Sequence, residues 1–122
     1  MSSLSSQVRD FRHAFGLHVA RTPNLAPDAS LRLHHKLITE EVAELMGAII
    51  ERDPGEVLDA LGDIVYLAYG AALECGYDLD EALQRIHAAN MAKLRDGVVH
   101  RRPDGKVLKP DGWMPPSMEG LV

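Results

Sequence analysis

The sequence predicts an all-α protein of four or five helices. Apolar residues recur at spacings of three and four along several stretches, which is typical of helices with one buried side. Two of these stretches open with helix-capping signals, and another follows a proline-bearing loop. The 122 residues correspond in length to one domain. We therefore expect a single domain over residues 1–122, with a helical body of about 5–95 and a mostly irregular basic tail of 96–122.

The first half of the chain predicts two helices separated by a loop. Residues 1–20 could form a short amphipathic helix whose apolar side consists of Val8, Phe11, Phe15 and Leu17. Residues 21–28 contain two prolines and an asparagine, so they predict a loop. A long helix is expected over about 29–52, because leucine, isoleucine and valine recur there at helical spacing.

The third helix has the clearest boundaries in the sequence. Asp53 is a good N-cap, Pro54 suits the first helical position, and Glu56 completes a capping box. Gly76 is expected to end the helix in a left-handed conformation, which places the helix at about 54–75. This helix is apolar nearly all round, so it should be buried on most sides. In so small a domain, that burial favours another subunit as the partner.

The last third of the chain predicts one more helix and an irregular tail. Residues 78–81 repeat the capping-box pattern and open a helix of about 79–95. A turn is expected at 103–105, where proline, aspartate and glycine follow one another. This turn could join two short strands at 98–99 and 107–108. Further prolines make the final segment an extended tail.

Composition and charge argue against several classes of protein. The formal net charge is −5, which argues against general binding of nucleic acid. The charge is uneven, because residues 1–92 carry 7 Lys and Arg against 14 Asp and Glu, whereas residues 93–122 carry 6 against 4. The lone Cys75 excludes an internal disulfide and fits a cytoplasmic location. We expect no signal peptide, and the longest apolar run, residues 64–73, is too short to span a membrane.

Two groups of carboxylates are the strongest functional signal. Glu40, Glu41 and Glu44 span only about 100° of the surface of the second helix. Asp59 and Asp63 lie within about 40° of each other on the third helix. Apolar residues flank both groups, and two antiparallel helices joined by a short loop would bring them face to face. Such a concentration of negative charge requires cations, and oxygen ligands favour Mg²⁺ or Mn²⁺.

Spacing alone leaves a second interpretation open, because charged residues on a helix usually form a solvated face. We assign Glu51 and Glu74 to such a face and Glu56 mainly to helix capping. His34 and His35 precede the acids on the same helix. A hard-metal site does not need imidazole, so packing or surface positions are expected for both histidines.

At these residues the sequence resembles the all-α nucleoside triphosphate pyrophosphohydrolases of the MazG type, whose pattern is EExxE followed by ExxD. Residues 40–44 match the first block fully, and Asp63 matches the last aspartate. Ala60 departs from the pattern, because a glutamate is expected there, and Asp59 could take its place. The resemblance implies a helical bundle that assembles as a homodimer or a homotetramer.

The resemblance continues downstream and covers about residues 31–114 in all. Residues 87–93 look like the H-x-x-N-x-x-K block of one MazG-like branch, and residues 104–113 look like its D-G-K-x-x-K-P-x-G-[WY] block. Lysine suits triphosphate oxygens as a point charge, an amide can bind a sugar or phosphate, and an indole can stack on a base. The substrate-binding candidates are therefore Asn90, Lys93, Lys106, Lys109 and Trp113.

The activity that the resemblance implies is metal-dependent hydrolysis of a nucleoside triphosphate to the monophosphate and pyrophosphate. Two or three Mg²⁺ or Mn²⁺ ions would be held by Glu41, Glu44, Asp59 and Asp63. Glu40 would ligate a further ion or accept the proton of the attacking water, so Glu40 and Glu41 are the catalytic candidates.

The substrate that the resemblance implies is a deoxynucleotide. Similar enzymes act on dUTP or dGTP, so a role in controlling the nucleotide pool is expected. Phosphoribosyl-ATP is an alternative substrate, although the tail extends beyond the compact phosphoribosyl-ATP pattern. Another alternative is a helical oligomerisation or regulatory module that has lost turnover, which Ala60 would explain.

Overall fold

The computed structural model describes residues 3–122, and its regular structure is helical. The four helices are α1 (Leu4–Ala14), α2 (Asp28–Ile50), α3 (Pro54–Glu74) and α4 (Leu79–Met91). The prediction of an all-α chain with four or five helices is confirmed. Within the described range, no helix combines the length and apolar character needed to cross a membrane.

Local signals set the boundaries of α3. The Asp53 side chain accepts a hydrogen bond from the backbone N–H of Glu56 at 3.1 Å, as the capping box requires. Pro54 is the first helical residue, and Gly76 follows the helix with a φ of 69°. A side chain at Gly76 would be excluded by its surroundings, because a Cβ there would lie 2.4 Å from the carbonyl oxygen of Thr22. The predicted start and stop of this helix are therefore confirmed to within one residue.

The first three helices pack together in one compact unit that extends to Asp78. Helix α2 packs along α3, and α1 packs on α3. His34 near the start of α2 contacts Glu74 at the end of α3, which shows that these two helices run antiparallel. The core is small, and the buried apolar side chains in it are Val8, Ala26, Ala48, Ala60, Tyr69, Leu73 and Cys75.

Much of the apolar surface of the α2–α3 hairpin is open to solvent in the single chain. On α3, Leu58 is 72% exposed and Val65 is 46% exposed. On α2, Met46 and Ile50 are 57% and 70% exposed. The chain by itself therefore does not bury α3 on most sides. The expectation that another subunit covers it stays a prediction.

The second compact unit spans Leu79–Leu121 and contains α4 and the tail. Helix α4 ends at Met91, short of the predicted end at 95, because the N–H groups of Lys93 and Leu94 bond carbonyls three residues back rather than four. Arg85 on α4 donates hydrogen bonds to the carbonyl oxygens of Ser117 and Glu119, at 3.0 and 2.8 Å. The Arg85 guanidinium therefore connects the last residues of the tail to α4.

The prediction of two short strands on either side of residues 103–105 is wrong. The turn forms, but within the described part of the chain it closes with an isolated bridge between Arg101 and Val107 rather than a ladder. The Arg102 guanidinium donates two hydrogen bonds to the Asp104 carboxylate, at 2.9 and 2.6 Å. These side-chain hydrogen bonds stabilise the turn in place of a strand ladder. Whether the two units behave as a single domain stays a prediction.

Candidate active site

The five carboxylates predicted as metal ligands lie on the facing helices α2 and α3. Glu40, Glu41 and Glu44 are on α2, and Asp59 and Asp63 are on α3. Because the loop between the helices is short and the helices are antiparallel, residues at similar distances from the loop come level with each other. We call these five residues the carboxylate cluster.

Two members of the cluster have pKa values above their ordinary values. The pKa of Glu41 lies above its ordinary value of 4.5, first because of a hydrogen bond with Glu44 and then because of burial. The negative charges of Glu44, Asp63 and Asp59 raise it further. The pKa of Asp63 lies above 3.8, mainly because of burial and then because of the charges of Asp59 and Glu44. The two helices therefore hold these acids close enough for neighbouring carboxylates to disfavour ionisation of Glu41 and Asp63.

Two pairs of carboxyl groups in this cluster are close enough to be joined by a hydrogen bond. Glu41 is hydrogen-bonded to Glu44, and Asp63 is hydrogen-bonded to Asp59. An ionised carboxylate can only accept, so each of these hydrogen bonds requires a proton on one of its two partners. At physiological pH carboxyl groups bind protons less readily, and a bound cation would supply the positive charge instead of the proton.

The Glu41 side chain carries an unsatisfied oxygen. Its Oε2 atom is buried and has no hydrogen-bond partner. Within residues 3–122, none of the five carboxylates forms an ion pair with lysine, arginine or histidine. A buried carboxylate oxygen without a partner is costly, which marks this atom as a position for a ligand.

The donor chemistry of the cluster fits a hard divalent cation. All of its ligating atoms are carboxylate oxygens, which Mg²⁺ and Mn²⁺ prefer. The side chains are not arranged as a finished site, because no three His, Cys, Asp or Glu groups in the described chain converge closely enough to hold an ion. Rotation of exposed glutamates could complete the set, since Glu40 and Glu44 are both exposed.

The departure at Ala60 has a structural explanation. Ala60 is only 4% exposed and belongs to the core, so a glutamate at this position would point its carboxylate into apolar surroundings. Asp59 is exposed and acts electrostatically on both Glu41 and Asp63. Whether Asp59 takes the place of the glutamate expected at position 60 stays a prediction.

The second unit brings three of the predicted substrate-binding residues together. The indole Nε1 of Trp113 donates a hydrogen bond to the carbonyl oxygen of Ala89 at 2.7 Å. The ammonium groups of Lys93 and Lys109 lie 5.4 and 5.1 Å from the centre of the Trp113 ring. Cations at these distances are attracted by the face of the ring. The result is a compact basic group formed by residues that follow α4.

The two remaining candidates are both exposed. Asn90 is exposed at the end of α4. Lys106 is exposed in the turn, where its backbone N–H donates to the Asp104 carboxylate at 3.2 Å. Their predicted contacts with substrate stay predictions.

A comparison with protein families identifies the class of protein. The model of a family described as phosphoribosyl-ATP pyrophosphohydrolase matches residues 8–90, which is more than half of the chain.

The chain belongs to this family.

The match to the phosphoribosyl-ATP pyrophosphohydrolase family includes the whole carboxylate cluster and ends before Lys93. The family is described as a pyrophosphohydrolase, and that description agrees with the resemblance to the all-α nucleoside triphosphate pyrophosphohydrolases. It does not separate a branch that acts on dUTP or dGTP from one that acts on phosphoribosyl-ATP.

A viral protein contains a related segment. The protein named Uncharacterized protein L479, from Acanthamoeba polyphaga mimivirus, is 45% identical to this chain over 51 residues. The matched segment makes up 42% of this chain and 20% of the viral protein. The chain thus covers about a fifth of the length of this relative, whose name assigns it no activity.

The first compact unit contains a second polar group that the sequence interpretation missed. The Glu74 carboxylate is hydrogen-bonded to His34 Nε2 at 2.5 Å and lies 3.9 Å from the Arg12 guanidinium. Arg12 also donates to the carbonyl oxygen of His18 at 3.0 Å. The side chain of Glu74 is only 13% exposed, so its assignment to a solvated face is wrong. We call Arg12, His34 and Glu74 the ion-pair cluster.

Helical spacing contained a signal for this ion-pair cluster. His34 lies seven residues before Glu41 and Glu74 lies eleven residues after Asp63. Both separations return to within about 20° of the same side of a helix. A polar residue that shares a helix side with buried acids is expected to face inward, and that argument predicts burial for both residues. Arg12 lies on another helix and could not be found in this way.

Proposed function

We propose that this chain is a metal-dependent nucleoside triphosphate pyrophosphohydrolase that releases a nucleoside monophosphate and pyrophosphate. The observation that carries the proposal is the carboxylate cluster, with its raised pKa values and the unsatisfied oxygen of Glu41. Membership of the phosphoribosyl-ATP pyrophosphohydrolase family supports the same bond as the target.

The residues of the cluster divide between holding cations and moving a proton. Glu41, Glu44, Asp59 and Asp63 would hold two or three Mg²⁺ or Mn²⁺ ions. A bound divalent cation supplies positive charge to phosphate oxygens and lowers the pKa of a water molecule. Glu40 is exposed beside these residues, so its carboxylate is free to accept the proton of the attacking water, and Glu41 assists by keeping the cluster charged.

The basic residues of the second unit are proposed to neutralise the leaving pyrophosphate. Lys93 and Lys109 share one aromatic ring, which keeps two positive charges in the same place. Lys106 would add a third charge, and Asn90 would hydrogen-bond the sugar or a phosphate. Trp113 anchors the group through its hydrogen bond to Ala89 and offers a ring on which a base could stack.

We further propose a deoxynucleotide substrate, dGTP or dUTP, and a role in controlling the nucleotide pool. The downstream blocks that end in Trp113 support this choice, because they resemble a branch with such substrates. Phosphoribosyl-ATP is the second candidate, and the description of the matching family favours it.

Release of pyrophosphate tests the proposal directly. The purified chain is assayed with ribo- and deoxynucleoside triphosphates and with phosphoribosyl-ATP, in Mg²⁺, in Mn²⁺ and in EDTA. We expect metal-dependent pyrophosphate from one or two deoxynucleotides. Pyrophosphate from phosphoribosyl-ATP alone would replace that substrate assignment. Binding of nucleotide or metal without any release would establish a module that has lost turnover.

Variants of the carboxylate cluster connect the activity to the site. Glu41→Gln and Asp63→Asn keep the size of each side chain and remove its charge, so turnover should fall by about a hundredfold or more. Glu51→Gln is the matched control, because it removes one charge from an exposed position just after α2. Full metal-dependent turnover in Glu41→Gln and Asp63→Asn would exclude this site.

The exposed apolar side of the α2–α3 hairpin supports a further proposal, that the chain assembles with itself. Large apolar side chains are open on both helices of the hairpin, and contiguous patches of this kind usually mark an interface. We propose a homodimer or a homotetramer. Light scattering after size-exclusion chromatography should give at least twice the mass of 13.4 kDa, and a monomer at micromolar concentration would refute the assembly.

A further inference from the structure

A cavity lies beside the ion-pair cluster in the first unit. It has a volume of about 250 Å³ and is enclosed by side chains of α1, α2 and α3 together with Leu17. Its walls are mostly apolar and include the rings of Phe11 and Tyr66, which meet edge to face with centroids 5.6 Å apart. The lining also contains the basic side chains of Arg12 and His34. The proposed phosphate chemistry gives this cavity no role.

The two basic side chains on the cavity wall are both buried. Arg12 is 7% exposed and His34 is 9% exposed. One carboxylate, Glu74, faces both of them. Arginine has five N–H donors, and the contacts with His18 and Glu74 engage only its Nε and Nη2 atoms. Its Nη1 group lies beside Gly70 on the cavity lining, so these N–H donors are available to a molecule in the cavity.

His34 offers a lone pair as well. A carboxylate can only accept, so the bond to Glu74 places a proton on His34 Nε2. In the neutral ring that leaves Nδ1 as an acceptor, and Nδ1 is buried without a partner. The cavity therefore presents donors from Arg12 and an acceptor from His34, between aromatic walls. Planar heterocycles carry alternating acceptors and donors on their edges, and this wall is complementary to such an edge.

The cavity adjoins the carboxylate cluster along both helices. Tyr66 lines it and also lines the open groove that contains Asp59 and Asp63. Leu37, on the opposite wall, lies one helical turn before Glu41. A molecule whose phosphates reach the carboxylates could therefore place its other end in this cavity.

We propose that the cavity receives the heterocyclic base of the substrate and that Arg12 and His34 read its edge. The assignment rests on the proposed function and names the part of that site that selects the base. The volume of the cavity lies just below the roughly 300 to 1,000 Å³ typical of pockets that hold a whole ligand. The cavity therefore suits one ring system rather than a complete nucleotide. Glu74 is a positioning residue, because it holds Arg12 and His34 in place without lining the cavity.

Gly70 provides a way to fill the cavity without unfolding the protein. A Cβ at Gly70 would lie 3.4 Å from Arg12 Nη1 and 3.8 Å from His34 Cε1, which is ordinary contact. Gly70→Ala should therefore fold but remove space where the base would sit. Gly47→Ala is the matched control, because a Cβ there meets nothing within 4 Å. Arg12→Lys keeps the charge and loses the planar fork of donors.

Kinetic constants for the preferred nucleotide and inhibition by inorganic tripolyphosphate form the first test. In Gly70→Ala and Arg12→Lys we expect KM to rise by about tenfold with a smaller change in kcat, and the preference between bases to shrink. Inhibition by tripolyphosphate, which has no base, should stay unchanged, as should all constants of Gly47→Ala. An equal loss of affinity for nucleotide and tripolyphosphate would show a purely structural role and overturn the proposal.

Binding of nucleosides in EDTA separates this proposal from the proposed activity. Nuclear magnetic resonance follows the ring protons of Phe11, Tyr66 and His34 while the four common deoxynucleosides, or deoxyribose alone, are added. We expect the rings to respond to at least one nucleoside, not to the sugar, and less in Gly70→Ala. Such a response without hydrolysis would support the base site and contradict the proposed activity. Hydrolysis with no response of these rings, and unchanged KM in Gly70→Ala, would remove the base site alone.

Discussion

The α2–α3 hairpin carries two polar clusters of opposite electrostatic character. In the ion-pair cluster, Glu74 is compensated by Arg12 and His34, and every member is nearly buried. In the carboxylate cluster, acids face other acids, and Glu41 keeps an oxygen without a partner. The Glu74 carboxylate finds positively charged or N–H partners within the fold, whereas the carboxylate cluster has no cationic partner among the described residues. The comparison separates a carboxylate that the fold compensates from carboxylates that it leaves uncompensated.

Removal of Glu74 should have the largest effect on stability. Glu74→Ala leaves the Arg12 guanidinium buried without its carboxylate, which typically costs about 3 kcal/mol or more of unfolding free energy. Denaturant unfolding at pH 7 measures the loss. Glu51→Ala is the control, because Glu51 is exposed and its removal should change stability by no more than about 0.5 kcal/mol. Equal stability of the two variants would mean that the ion-pair cluster adds nothing to the fold.

Addition of a divalent cation should have the next largest effect, and it should act only through the carboxylate cluster. At a free concentration about a hundred times its Kd, an ion that binds only the folded chain adds about 2.7 kcal/mol of stability. Thermal unfolding with increasing Mg²⁺ or Mn²⁺ measures the gain. Asp63→Asn should lose most of it, and Glu51→Gln should keep all of it. A gain of the same size in Asp63→Asn would place the ion elsewhere.

The two clusters also differ in how far the sequence could predict them. The carboxylate cluster depends on periodicity within two helices and on the short connection between them, and both are local properties. Asp53 and Gly76 mark the ends of α3 through contacts with near neighbours, so these ends were predictable. Arg12 joins Glu74 from another helix, and no local pattern records that contact. The burial of Glu74 itself could have been predicted from its helical spacing to Asp63, but its contact with Arg12 could not.

The tail shows the same division between local and distant contacts. The turn at 103–105 follows from its residues, and the sequence predicts it correctly. The proximity of Lys93 and Lys109 to the Trp113 ring depends on the path of the chain between them, and the order of the blocks only suggested it. The early end of α4 at Met91 also reflects that path, because the chain leaves the helix through tighter turns.

The smallest predicted effect concerns pH, and it sharpens the contrast between the clusters. Folding raises the pKa of Glu41 and Asp63 above the ordinary values of 4.5 and 3.8, so the folded chain holds their protons more tightly than the unfolded chain. Their contribution to stability is therefore present at pH values below the ordinary pKa and is lost as the pH rises through the raised values. Both groups are partly exposed, so solvent screening keeps the change small.

In EDTA, the unfolding midpoint of Asp63→Asn should therefore rise relative to the unchanged chain between pH 4 and pH 8, and Glu41→Gln should do the same. Saturating Mg²⁺ should reverse this order at pH 8, because the ion stabilises only the chain that keeps its carboxylates. Glu51→Gln should follow the unchanged chain in both conditions. If Asp63→Asn is the less stable protein in EDTA at pH 8, the acids are compensated within the fold, and the cluster is not the place where a cation is needed.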